Sequence, residues 1–292
     1  DRMDLRENAM RLNPQTCLQV FRNAGTATLL LAAGLAYSQQ PAVAKKAEGT
    51  AATSASQSQA SDILMRMANF LGGTQRFSVS MRGGYDAVQE SGQKVEFGET
   101  RKIHLSRPDR LRVEGERSDG AKVLTVFNGK EIVLLDAASN VYATAAQPGG
   151  IDDSIVFFVK DLGMRLPLAV LLMSGISNEL KDRVRSVDYV EKTSIYGTPS
   201  HHIAARTDTV DFQIWVADGD KPLPQRVVIT YKNDKGEPQF WAQFSDWNLA
   251  PAIADSTFMV KPPDGAQKVA FAAQLPRLSV AARQSPANVG AK

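Results

Sequence analysis

From residue 77 onward, apolar residues recur at every second position, and this period constrains the fold more than any other feature. Phe77, Val79 and Met81 alternate with polar residues, and Leu111 and Val113 alternate with Arg110, Arg112 and Glu114. A period of two puts alternate side chains on opposite faces of an extended chain, the pattern of a half-buried strand. Val95, Phe97 and Glu99 lead into Ile103-His104-Leu105. Val123 to Phe127 and Glu131 to Leu135 flank Asn128-Gly129, a strong hairpin signal, and Ser139-Asn140 turns into Val141-Tyr142. Strand patterns return from Val187. Tyr196-Gly197-Thr198-Pro199 turns into Ser200 to Ala205, and Val210 to Val216 ends at Asp218-Gly219-Asp220. Arg226 to Lys232 and Gln239 to Trp247 follow, with a short strand expected at Phe258 to Val260 before Pro262-Pro263. Successive strands without crossover helices predict an antiparallel meander.

Two stretches depart from this period. Ile63, Leu64, Met67, Phe70 and Leu71 lie at helical spacing, so a helix is predicted over 62–71, capped by Ser61 and stopped by Gly72-Gly73. Between the two sets of strands, Asp152-Asp153-Ser154 starts a helix carrying Ile155 to Val159. Leu166 to Met173 is a second apolar segment with Pro167 near its start, and Ser177 to Arg185 a short polar helix. Lys160, Asp161, Arg165 and Pro167 interrupt the run from Ile155 to Met173, which is therefore not a membrane span.

Ahead of the first helix, Arg22 to Ala44 reads as a secretory signal. Arg11 and Arg22 supply positive charge, Ala24 to Ala36 an uncharged and mostly apolar stretch, and Ala42-Val43-Ala44 a small-x-small cleavage site. Residues 1–21 read as an extension upstream of the biological start. Cleavage near Ala44 would remove Cys17, the one cysteine, and an exported chain without cysteine suits a bacterial periplasm. Residues 45–60, rich in Ala, Ser, Thr and Gln, are expected to be a disordered linker. The expected organisation is a leader over 1–44, this linker, one β-sheet domain over 61–271 and a flexible tail over 272–292.

The chemistry is sparse. With 34 basic against 31 acidic residues, and no basic run interleaved with aromatics, nucleic acid is not an expected partner. A single cysteine excludes a disulfide framework and a Cys-rich zinc site. Of the three histidines, His104 lies in a strand pattern, and the neighbours His201 and His202 point to opposite faces of a strand, so no metal is expected. Asp152-Asp153 fits helix capping better than acid/base work. No phosphate loop and no nucleophile elbow occurs, so neither a cofactor nor an enzyme is expected.

Four segments, in order, carry a family resemblance. Phe97-Gly98 through Ile103-His104-Leu105-Ser106-Arg107-Pro108 to Arg112 resembles the Arg-Pro pattern of the periplasmic lipoprotein carriers (LolA-like). Phe127-Asn128-Gly129-Lys130 through Asp136 resembles the hairpin that follows it there. Ile214 to Asp218 with Leu223-Pro224-Gln225-Arg226 is similar to a strand-turn-strand of related lipoprotein-binding domains. Phe258 to Gly265 is similar to their closing Phe-x-Phe-x-Pro-Pro-x-Gly segment. This chain has Val260 where the carriers favour Phe, and His104 where a tryptophan is common. Overall the chain most resembles a family of predicted periplasmic proteins of unknown function that share this fold.

The resemblance implies a curved, incompletely closed antiparallel β-barrel wrapped around helices, mainly β with helices (α+β). Its concave side would form a cavity for acyl chains. Phe157, Phe158, Met164, Leu168, Leu171, Leu172 and Met173 are candidate lining residues, with ordinary core packing as the alternative for each. Arg107 matches the motif arginine and would hold lid carbonyls, hold a lipid headgroup or sit solvated at the surface. The expected function is a periplasmic carrier or sensor of lipid, lipoprotein or another hydrophobic ligand. The alternative is an envelope interaction or regulatory domain with the same fold and no ligand. Expected partners are a lipid or lipidated protein, another envelope protein and, peripherally, a membrane.

Overall fold

The computed structural model describes residues 48–162, 164 and 166–271. The leader, Cys17, the cleavage site at Ala44 and the tail over 272–292 lie outside these residues. Helix α1 (Glu48–Gly73) precedes a first run of strands: β1 (Arg76–Val88), β2 (Lys94–Ser106), β3 (Arg110–Arg117), β4 (Lys122–Phe127), β5 (Glu131–Asp136) and β6 (Val141–Ala146). Helix α2 (Ile151–Lys160), a 3-10 turn (Ala169–Leu172) and α3 (Ile176–Arg183) intervene. A second run follows: β7 (Ser186–Ile195), β8 (Thr198–Arg206), β9 (Asp211–Ala217), β10 (Pro224–Thr230) and β11 (Gln239–Asn248). A 3-10 turn at Asp255–Phe258 leads to the two-residue β12 (Gln267–Lys268).

The strands form one open sheet in the order β12-β6-β5-β4-β3-β2-β1-β11-β10-β9-β8-β7. All pairs are antiparallel except the short parallel contact of β12 with β6. The turns follow their residues. Gly129 has φ +82°, and the Asn128 Oδ1 accepts from the Lys130 and Glu131 amides at 3.0 Å each. Tyr196 and Gly197, at φ +45° and +80°, make the two-residue turn between β7 and β8.

The inner face carries the alternating apolar residues. Phe77, Val79 and Met81 of β1 join Ile103 and Leu105 of β2, Leu111 and Val113 of β3, and Phe240, Ala242 and Phe244 of β11 in one buried cluster with the helices. Helix α1 contributes Ile63, Leu64, Met67, Ala68 and Leu71. Each Val, Leu, Ile, Phe or Met among them, taken out of water, stabilises the fold by about 1.5–3 kcal/mol before entropy is counted.

Three local expectations are corrected. Residues 48–60 are helical rather than a disordered linker, and Ser61 is internal to α1 rather than its cap. The stretch is rich in alanine, the strongest helix former. Ala60 is fully buried, and the Ser56 hydroxyl and Gln57 amide reach the Tyr189 carbonyl and Asp188 carboxylate of β7. The segment from Leu166 forms only a 3-10 turn, because Leu168 takes a left-handed φ of +65° just after Pro167. The strand expected at Phe258 is the end of a 3-10 turn.

After β11 the chain crosses the outer face. Arg112, on that face, donates to the Thr257 carbonyl at 3.1 Å, and Phe258 is buried outside the main cluster. The strand β12 then borders β6, and Phe271 packs edge-on against Phe158 of α2 at 6.5 Å. The final described segment thus passes from the outer face around the β6 edge to the inner side.

Candidate functional site

The covered part of the inner face holds a cavity of about 190 Å³. Its floor is built by inward positions of three adjacent strands: Leu111 and Val113 of β3, Val123, Thr125 and Phe127 of β4, and Ile132 and Leu134 of β5. Its roof is α2 and the residues after it, with Ser154, Ile155, Phe158, Met164 and Leu166. The Ser154 hydroxyl is satisfied within the helix, donating to the Ile151 carbonyl at 2.7 Å. A second void of about 30 Å³ lies towards β1 and β11, beneath Leu168, Leu171 and Leu172. Arg101, Val113 and Leu166 line both.

One end of the larger cavity is charged. Glu99 and Arg101, two residues apart on the inner face of β2, form an ion pair at 2.8 Å with side chains only 12% and 17% exposed. Arg117 lies directly across from Glu99 in the β2–β3 register, and its guanidinium pairs with Asp119 at 2.6 Å. That hydrogen bond holds the Arg117 pKa above the ordinary arginine range. Burial pushes the nearby Tyr85 phenol up, opposed by the Arg117 charge. The site is an apolar chamber with a polar end, an arrangement that accepts an amphiphile or an apolar group.

The candidates from the sequence divide. Phe158 and Met164 line the larger cavity, and Leu168, Leu171 and Leu172 the smaller. Phe157 is half-buried and Met173 buried against the core; neither lines either of these two cavities. Arg107 is elsewhere, at the end of α1. Its Nε donates to the Thr74 carbonyl at 3.1 Å and its Nη2 to the Leu71 carbonyl at 3.4 Å, with its side chain 7% exposed. Burial lowers its pKa, and Asp152, 4.0 Å from Nη1, opposes that shift. Asp152 in turn accepts from the Ser174 amide and hydroxyl and the Gly175 amide at 2.8–2.9 Å, just before α3. Asp153 caps α2, accepting from the Gly150 amide at 3.5 Å. The carboxylate pair therefore tethers two helix starts.

Sequence reasoning missed the strand half of the site and its charged end. The signal was present: Glu99 and Arg101 share the parity of Ile103, and Arg117 that of Leu111 and Val113, so charges occur in inward register. His201 bridges the Tyr189 hydroxyl and Asp218 at 3.1 Å each, and His202 stacks on Trp215 at 4.0 Å. Among the described residues no group of three or more His, Cys, Asp or Glu converges as a metal site.

Residues 60–272 match the family described as predicted periplasmic protein, DUF2092. The chain belongs to this family. Its compartment is accordingly the periplasm, and among the described residues no helix is long and apolar enough to cross a membrane. No curated protein sequence matches the chain. Among solved structures, an uncharacterised conserved protein from Thermus thermophilus is 12% identical, covering 73% of this chain and 99% of its own, with a TM-score of 0.43. LprF from Mycobacterium bovis is 13% identical over 72% and 98%, TM-score 0.43. A LolA superfamily protein from Nitrosomonas europaea is 12% identical over 69% and 97%, TM-score 0.35.

Proposed function

We propose that this DUF2092 protein binds a hydrophobic ligand, a lipid or the acyl part of a lipoprotein, in the chamber between β3–β5 and α2, acting as a periplasmic carrier or sensor rather than an enzyme. The observation that carries this reading is the 190 Å³ apolar cavity roofed by α2. An apolar cavity of roughly 150 Å³ stays dry and takes up a benzene-sized molecule. As it stands the chamber suits one ring or a short stretch of one acyl chain. A longer chain requires α2 to move outward so that the chamber joins the second void, with which it shares Arg101, Val113 and Leu166.

A cavity-filling substitution separates a binding site from incidental packing. Thr125→Phe places a ring in the chamber from its floor. The expected result is loss of binding of a fluorescent fatty acid, with the melting temperature unchanged or raised. Retained binding by a folded Thr125→Phe variant would overturn the site. Native mass spectrometry of protein purified from the periplasm is expected to show bound lipid; a consistently empty chamber supports the envelope interaction domain instead.

A further inference from the structure

The outer face of the sheet carries a groove of about 600 Å³ on the other side from the chamber, with which it shares Arg101, Gly115, Glu116 and Val123 of the intervening strands. It runs across the strands from Ser245 of β11 to Leu135 of β5. Strand parity explains its lining. The residues that alternate with the buried Val79, Met81, Ile103 and Val113 are Ser80, Arg82, Thr100, Lys102, Arg112 and Glu114. The two acids of the groove are each matched: Glu114 by Arg112 at 2.7 Å and Glu116 by Lys122 at 3.6 Å. Arg82 and Lys102, both exposed, form no ion pair with any described residue. They flank the Ser80 and Thr100 hydroxyls, because Ser80 opposes Lys102 and Arg82 opposes Thr100 in the β1–β2 register. Glu114 stands across from Lys102 in the β2–β3 register but is held by Arg112. Two cations outside ion pairs thus stand among hydroxyl donors in a concavity, the arrangement that binds oxyanions. The neighbouring His104 lies in the same field: burial lowers its pKa first and the Lys102 charge next, with Glu114 opposing the shift and Arg112 adding to it.

We infer that the outer groove at Arg82 and Lys102 is a phosphate-binding site, separate from the hydrophobic chamber. Phosphate can reach it as the headgroup of an anionic lipid or as a free ion, and the experiment distinguishes these. The full chain is incubated with phosphatidylglycerol vesicles, with phosphatidylcholine vesicles, and separately with inorganic phosphate followed by amide chemical shifts. The expected result is binding to phosphatidylglycerol but not phosphatidylcholine, weakened by added salt. The double variant R82E/K102E should weaken it by about 30-fold or more, the loss that follows when two cations leave an anionic surface. The double variant K181E/K235E, with the same change in total charge elsewhere, should change it by less than about twofold if the site is local. Shifts of the Thr100 and Lys102 amides with phosphate, absent vesicle binding, would assign the free ion. Binding to neither probe, or equal losses in the two double variants, overturns the site. The Thr125→Phe variant should bind these probes like the wild type, so failure of the chamber and failure of the groove are read independently.

Discussion

Arg107 holds the end of α1 against the end of β2, because its guanidinium is the donor for two carbonyls of the final helical turn region. A buried charge-assisted hydrogen bond contributes about 1.5–3 kcal/mol. Arg107→Leu should therefore destabilise the protein by roughly that amount, read as a lower urea midpoint with unchanged slope. Arg107→Lys should recover only part of it, since a point charge does not reproduce the planar fork. An unchanged midpoint in the leucine variant would remove the tether. Glycine acts at this scale as well. A Cβ on Gly84 would lie 2.7 Å from the Trp241 Nε1 and 2.9 Å from the Glu96 Oε1. The indole crosses β1 there and also sits beneath Arg226, whose guanidinium lies 5.2 Å from the Trp241 ring and 5.7 Å from that of Trp215. Gly84→Val should cost about 1–3 kcal/mol through overpacking and alter tryptophan fluorescence. At Gly98, where a Cβ would meet nothing closer than 3.9 Å, alanine should be tolerated.

At the scale of elements, the period-two pattern located the strands because burial on one face leaves that pattern in composition. The same logic failed for the first half of α1. That half docks through a small residue, Ala60, and through polar contacts to β7, so it carries no apolar stripe. Ala60→Glu tests whether the docking matters: a buried unpaired charge costs several kcal/mol, so a large fall in melting temperature is expected. A variant that melts like the wild type would place this half of α1 outside the cooperative fold. The 3-10 turn at Ala169–Leu172 was illegible for another reason. Its apolar run suits a helix, and only the backbone at Leu168 breaks it.

For the whole molecule, the open antiparallel sheet around helices was legible, whereas the chamber was only half so. Phe158 and Met164 could be named from an apolar segment, but Thr125 and Leu134 become neighbours of that segment only through the strand order. The crossing of the final segment from outer to inner side was not legible either, since it depends on which edge β12 meets. Phe271 makes it structural: it is 3% exposed and packs on the roof of the chamber through Phe158. Phe271→Ala should cost about 3–5 kcal/mol, with a parallel fall in thermal stability; a loss well under 1 kcal/mol would show that the segment is not anchored there. The sheet also has one seam. Every antiparallel pair joins strands adjacent in sequence except β1 with β11, whose partners include Met81 and Phe244. A periplasmic chain is delivered from its N-terminus, so β1 arrives with one edge bare and keeps it bare until the final hairpin is through. Unpaired edges invite foreign strands, and pairing across such sequence separation is slow. Arg76 and Arg82 and the adjacent Gly83-Gly84 make that waiting edge a poor template for aggregation, and the last hairpin to arrive is the one that seals the first strand made.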